Sequence, residues 1–305
     1  MAHGPILFDR ALLRSRRRRA GALAASGFLL ERVAEDATDR IATVLRRFEL
    51  ALDLGTPGDG LRRALIASGK VGTVIAADAL IDRAFHDDES TLAVVCDEEA
   101  LPFRDSSLDL VVSGLSLQFV NDLPGTLVQI RRALKPDGLF LAALIGGDTL
   151  SELRQAFATA EAEIENGVSP RVAPFADVRD LGSLLQRAGF ALPVTDVDRF
   201  TVRYASPLAL MHDLRRMGAA NALVERSRRP LKRAVLARMM EDYGARFADA
   251  DGRIRATFEI MWLSGWAPHE SQQQPLKPGS AKTRLAEALG TQELSAGDKA
   301  GPKRE

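Results

Sequence analysis

Short apolar runs alternate along this chain with stretches whose apolar residues recur every three or four positions. The runs are "LALDL" at 50–54, "VGTVIAA" at 71–77, "TLAVVC" at 91–96, "LDLVVSGL" at 108–115 and "GLFLAALI" at 138–145. Rich in Val, Leu and Ile and apolar at consecutive positions, they predict strands covered on both faces. Between 28 and 48, Leu30, Val33, Ala37, Ile41, Val44, Leu45 and Phe48 fall on one face of a helix, predicting an amphipathic helix over the whole stretch. Another is predicted at 121–134, ahead of "KPDGLFLAALI". Strand–helix alternation of this kind predicts an α/β fold with a parallel, doubly wound sheet.

After Ile145 the rhythm changes. Asp148 and Thr149 are placed to cap a long helix over "LSELRQAFATAEAEI". An irregular "NGVSPRVAPF" follows, then a short helix in "DVRDLGSLLQRAGF" closed by Gly189. "PVTDVDRFTVRY" reads as a strand, 206–247 as helical and rich in Arg and Met, and "IRATFEIMWLSGW" as a last strand. Beyond Trp266 the chain is polar and reads as flexible at its end. No internal repeat is present.

Composition narrows the partners. The 305 residues are 46% hydrophobic and 27% charged, with 41 Lys+Arg against 41 Asp+Glu, so nothing in the net charge points to nucleic acid. The single cysteine, Cys96, excludes an internal disulfide and sits in an apolar run that predicts packing. No stretch approaches the ~20 apolar residues of a membrane span, which leaves at most peripheral membrane contact. "RALLRSRRRRAGALAASG" near the start has the composition of a mitochondrial presequence. It equally fits a first helix whose Phe8, Leu12 and Leu13 pack while its arginines stay in water.

Ligands of open α/β sheets bind at the carboxyl ends of the strands. Those ends carry Asp53 and Gly55, then Asp78, then Asp97-Glu98-Glu99, then Ser113-Gly114. Carboxylates at three neighbouring strand ends suit a nucleoside: one accepts two ribose hydroxyls, another an adenine amino group. They equally suit plain helix caps. Gly55, Gly58 and Gly60 are spaced G-x-x-G-x-G, which does not match the dinucleotide fingerprint. No His or Cys pair has metal-ligand spacing, and no nucleophile–base arrangement can be placed, so catalytic residues stay unassigned. His269-Glu270 reads as an anchor for the tail or a proton-transfer pair, and His212 as a packing residue.

"LDLG", "ALPFRDSSLDLVVSGLSLQFVNDLPGTLVQIRRALKPDGLFLAAL" and "GGDTLSELRQAF" resemble class I S-adenosylmethionine-dependent methyltransferases, in matching order from Phe8 to about Leu285. "FDRALLRSRRRRA", "DLGSLLQRAGF" and "GWAPHESQQQPLKPGS" make the chain most similar to the complex I assembly-factor arginine hydroxylases. "HDLRRMGAAN" and "ATFEIMWLSG" are shared more weakly with the malonyl-carrier-protein methyltransferases of biotin synthesis.

The resemblance implies a mostly parallel seven-stranded Rossmann-like sheet. It also implies a basic helical cap at 1–48, a methyltransferase-like domain at 49–266 with a helical lid at about 206–247, and a polar tail at 267–305. It further implies S-adenosylmethionine as cofactor, with Asp53, Gly55 and Gly58 near its methionine part and Asp78 on the ribose. Asp97 and Glu98 would flank the adenine, and Ser113 and Gly114 would present backbone to the amino group. The implied substrate is an arginine of an iron–sulfur subunit of respiratory complex I, in a bacterial cytoplasm or a mitochondrial matrix. Methylation of a carboxyl or protein acceptor, and a non-catalytic assembly scaffold, are the alternatives.

One stretch departs from the family pattern. "LDLGTPGDG" has Pro57 and Asp59 where that pattern has glycine. Proline fixes φ near −65° and offers no N–H, and an acid near a cofactor carboxylate repels it. Retained but altered binding, with Asp59 turned outward, and a cofactor-free relic both follow from the substitution.

Overall fold

A computed structural model describes residues 6–23, 27–80, 92–273 and 285–291. The chain divides into Met1–His269 and Glu270–Glu305. In the second unit the described secondary structure is one short helix, Leu285–Leu289. All that follows concerns the first.

Two helices, α1 (Arg10–Gly21) and α2 (Phe28–Ala42), precede β1 (Phe48–Leu54), α3 (Gly60–Ala67), β2 (Val71–Asp78) and β3 (Leu92–Val95). Then come β4 (Leu108–Gly114), α4 (Leu123–Ala133), β5 (Leu134–Ile145), α5 (Ser151–Glu165) and α6 (Val178–Arg187). The unit ends with β6 (Ala191–Tyr204), α7 (Pro207–Arg216), α8 (Arg233–Phe247) and β7 (Ile254–Trp266). The strands form one seven-stranded sheet in the order β3-β2-β1-β4-β5-β7-β6. β1 to β5 are parallel neighbours, and β7 runs antiparallel to both β5 and β6. The mostly parallel, doubly wound architecture expected from the strand–helix alternation is present, with the order reversing between β1 and β4.

Alternation along each strand builds a core on both faces. Leu110, Val112, Leu141, Ala143, Ile260 and Trp262 join residues of α2, α3, α5 and α8 on one side. Val111, Phe140, Ala142, Met261 and Leu263 join those of α4 and α6 on the other. This two-sided burial is why the runs read as continuously apolar. β6, at the outer edge, instead alternates half-buried and exposed positions.

Three expectations are corrected. The helix predicted over 28–48 stops at Ala42, leaving Leu45 fully exposed, and Phe48 opens β1 with no exposed surface. The Phe48 N–H donates to the Lys70 carbonyl (2.8 Å), while the Lys70 ammonium donates to the Val44 carbonyl (2.7 Å), so pairing with the β2 end overrides the helical spacing. Neither Asp148 nor Thr149 caps α5. Leu150 takes that place at φ 56°, because the Thr149 hydroxyl accepts from the Glu259 N–H (2.9 Å) and Asp148 pairs with Arg199. The 206–247 stretch is two helices rather than one helical body. Gly218 at φ 71° ends α7, and 217–232 runs irregularly to α8.

Candidate functional site

The tips of β1 to β4 bring the expected residues together. Asp53 pairs across the sheet with Ala76 and Val112, and the Gly55 N–H donates to the Ala77 carbonyl (2.7 Å), which sets Gly55 beside Asp78. Asp78 pairs with Val95, two residues before Asp97. The buried Cys96 thiol registers the convergence. Burial first, then the fields of Glu98, Asp97 and Asp78, push it up to about 12. It packs, as the apolar run predicted, and has no reactive thiolate.

Asp53 is strongly perturbed. Burial raises its pKa to about 7, with Thr56 and Arg62 opposing the rise and Asp78 adding to it. Its Oδ1 is buried and has no hydrogen-bond partner among the described residues. Such an acceptor is costly unless something donates to it. Asp78 accepts the Leu80 N–H through Oδ1 (2.8 Å), closing the turn after β2.

Asp97 and Glu98 are not free to receive an adenine as they stand. The Arg10 guanidinium bonds to Asp97 and Glu98 and lies 3.0 Å from Glu99. Arg14 reaches Asp97 at 2.8 Å, and Arg17 lies 3.9 Å from Glu98 and 5.4 Å over the Phe119 ring. Burial works to raise Asp97, but the Glu99 N–H, Arg10 and Arg14 outweigh it and hold the carboxyl below its ordinary range. The expectation that the arginine run stays in water is therefore wrong for this face, since Arg17 is 6% exposed. Sequence reasoning missed these arginines as site residues, although positions 10, 14 and 17 have the spacing of one helical face. Asp9 caps α1 by accepting the Leu12 N–H (2.9 Å) and pairs with Arg226 (3.2 Å). The Asp9 N–H donates to Ala222 and the Val224 N–H to Leu7 (2.8 and 2.9 Å). The start of the chain thus ties the strand tips to the segment after α7.

The glycine-poor loop has a definite geometry. Gly55 at φ 69° and Gly58 at φ 80° occupy the left-handed region that favours glycine. A Cβ on Gly55 would meet Ser116 Oγ at 2.6 Å and Glu98 Oε1 at 2.8 Å, so those side chains fill the space directly above it. Gly58 is exposed, with nothing within 4 Å of such a Cβ, and stands off the crevice. Asp59 is turned outward, 3.1 Å from Arg63, and does not cap α3 with its side chain. The Gly114 amide is also committed: its N–H donates to Thr56 Oγ1 (2.8 Å). The buried Ser113 hydroxyl donates to the Leu54 carbonyl (2.8 Å). Through that hydroxyl and that N–H, Ser113 and Gly114 lock β4 to β1.

Beside the tips lies a cavity of about 330 Å³. Pro57 and Leu115 border it on the sheet side, Phe8 and Arg17 on the N-terminal side, and Met211, Met217 and Asn221 from α7 and the segment after it. Of the eight residues expected to hold a cofactor, none lines it. His212, expected to pack, is exposed on α7. Among the described residues no group of three or more His, Cys, Asp or Glu side chains could hold a metal, and no helix is long and apolar enough to cross a membrane.

The fold is that of a methyltransferase. The model of a family described as "Methyltransferase domain" matches residues 52–142. A solved structure from Bacillus halodurans, described as a methyltransferase, superposes with a TM-score of 0.53 at 17% identity, covering 77% of this chain and 98% of that one. In sequence, the Danio rerio protein named "Arginine-hydroxylase NDUFAF5, mitochondrial" is 38% identical over 93% of this chain and 90% of its own. The human protein of that name is 41% identical, over 85% and 76%. A "Malonyl-[acyl-carrier protein] O-methyltransferase" of Laribacter hongkongensis is 34% identical, over 89% and 94%. The chain belongs to the class I S-adenosylmethionine-dependent methyltransferase superfamily, as an enzyme of the family these relatives form.

Proposed function

We propose that this enzyme binds S-adenosylmethionine at the tips of β1 to β3 and hydroxylates an arginine of a protein during respiratory complex I assembly. The carrying observation is the combination of near full-length similarity to an arginine hydroxylase with acids at three adjacent parallel strand tips. The residues fit the cofactor: Asp53 Oδ1 is a buried acceptor in want of a donor, and Gly55 allows close approach of a ligand to the backbone. Asp78 would accept the ribose hydroxyls, and Asp97 and Glu98 would flank the adenine once Glu98 turns away from Gly55. Gly58 belongs to the turn, while Ser113 and Gly114 hold β4 against β1. The sulfonium would supply an activated methyl carbon to the methylation reading; hydroxylation adds an oxygen atom to arginine and would draw it from a separate oxidant, dioxygen with two electrons from a reductant. In this reading 1–48 is a cap, 206–247 a lid and 267–305 a tail. The substrate is an iron–sulfur subunit of complex I, met in a bacterial cytoplasm or, as the names of the mitochondrial relatives suggest, a mitochondrial matrix.

Peptide mass spectrometry of complex I subunits, with and without this protein, tests the reading. Loss of the mass of one oxygen atom from an arginine peptide supports it, and loss of a methylene mass supports methylation instead. Methylation is kept as the second reading because the Laribacter hongkongensis relative aligns over almost its whole length. No mass change would leave a scaffold, the reading that Pro57 and the filled space over Gly55 favour.

A further inference from the structure

We infer that the 330 Å³ cavity beside the strand tips is a binding site for a small amphiphilic organic anion, an apolar body carrying one carboxylate-like head. Its volume lies within the ~300–1,000 Å³ range of small-molecule pockets. Phe157, Met217 and Phe258 are among its mostly apolar walls. Its polar residues are unbalanced in charge. Arg16, Arg17, Arg171, Arg215 and Arg226 line it, and no Asp or Glu does.

Two of these arginines are already neutralised: Arg171 by Glu161 at 2.5 Å and Arg226 by Asp9 at 3.2 Å. Arg16 and Arg215 have no ion pair among the described residues. Arg16 Nη1 is a buried donor with no hydrogen-bond partner among the described residues. Burial, then the fields of Arg226 and Arg19, lower the Arg16 pKa against the pull of Asp9, which records an excess of positive potential there. A buried guanidinium donor such as Arg16 Nη1 is costly unless a ligand meets it, whereas the exposed Arg215 keeps its hydration. An anionic head at Arg16 removes that cost while its body covers the apolar wall.

The same field disfavours a cation. In the arginine-modifying reading, the target guanidinium therefore does not occupy this cavity, which holds a second, negatively charged ligand. The inference does not depend on that reading, because it rests only on the lining of the cavity.

Calorimetry on the full chain tests it with decanoate, decan-1-ol and decyltrimethylammonium, all below micelle-forming concentrations. The expected result is saturable one-to-one binding of decanoate, at least tenfold weaker binding of the alcohol and none of the ammonium. Arg16→Gln weakens decanoate by about tenfold, the size of one charge-assisted hydrogen bond, and the exposed Arg215→Gln weakens it less. Arg16→Lys retains most of the affinity. Circular dichroism melting of each variant shows that it is folded. Equal binding of the three head groups, no saturable decanoate binding, or undiminished affinity in Arg16→Gln overturns the inference. Titration of S-adenosylmethionine into the same samples reports on the cofactor separately, so either result can fail without the other.

Discussion

The Glu98 carboxylate lies over Gly55, with Oε1 2.8 Å from where a Cβ on that residue would stand. The glycine is thus used for a close approach, but in this structure the approaching group belongs to the chain itself. Ser116 donates to the same oxygen at 3.1 Å, and Arg10 holds the other. The crevice at the strand tips is assembled and closed by one clamp.

Gly55→Ala tests that closeness. The left-handed φ costs an alanine about 1–2 kcal/mol, and the collision with Ser116 and Glu98 adds to it. Gly58→Ala has the same backbone strain without a collision. Urea denaturation is expected to show Gly55→Ala losing about 1 kcal/mol or more beyond Gly58→Ala. Equal losses mean the space over Gly55 is open.

Arg10→Ala tests the clamp. With Glu98 released from Arg10, it can turn from Gly55, so S-adenosylmethionine should associate severalfold faster than with the native chain. Salt weakens ion pairs, so the native rate should rise with ionic strength and the variant rate should not. Stopped-flow tryptophan fluorescence reads both, and a slower variant would show that Arg10 helps to bind the cofactor.

Asp53 gives a pH test. Its pKa is about 7 in the fold, against an ordinary value of 3.8. Between those values the folded state holds a proton that the unfolded chain has lost. Stability attributable to Asp53 is therefore lost as pH rises from about 4 to about 7, and levels off above that. Asp53→Asn cannot ionise, so its stability relative to the native protein should grow by up to about 4 kcal/mol from pH 4 to pH 8. Denaturation midpoints at the two ends of that range check the slope; a constant difference contradicts the assigned burial penalty.

The loop residues separate as well. Pro57 borders the cavity, whereas Asp59 faces Arg63 and water. Pro57→Gly restores an N–H and a free φ, and should tighten cofactor binding while costing up to about 1 kcal/mol of stability. Asp59→Gly should leave affinity unchanged. Isothermal titration distinguishes them.

Much of the sheet was legible because strands buried on both faces leave long apolar runs, as in "LDLVVSGL" and "GLFLAALI". The end of α2 was not, because Leu45 and Phe48 continue the helical spacing while the backbone of Lys70, distant in sequence, claims Phe48. The strand-tip acids were legible as a cluster from their positions alone. Their partners were hidden: an arginine-rich helix has the same sequence whether it faces water or carboxylates 80–90 positions away. The bonds from the Ser113 hydroxyl and the Gly114 N–H to Leu54 and Thr56 were hidden for a similar reason, since they run across the sheet.

The account depends on adenosine being held by the β2 and β3 tips. Titration calorimetry of the full chain with S-adenosylmethionine addresses this most directly, repeated with Asp78→Asn. The account predicts saturable one-to-one binding that Asp78→Asn weakens by about tenfold or more. No heat at millimolar cofactor, or equal affinity in the variant, would contradict it.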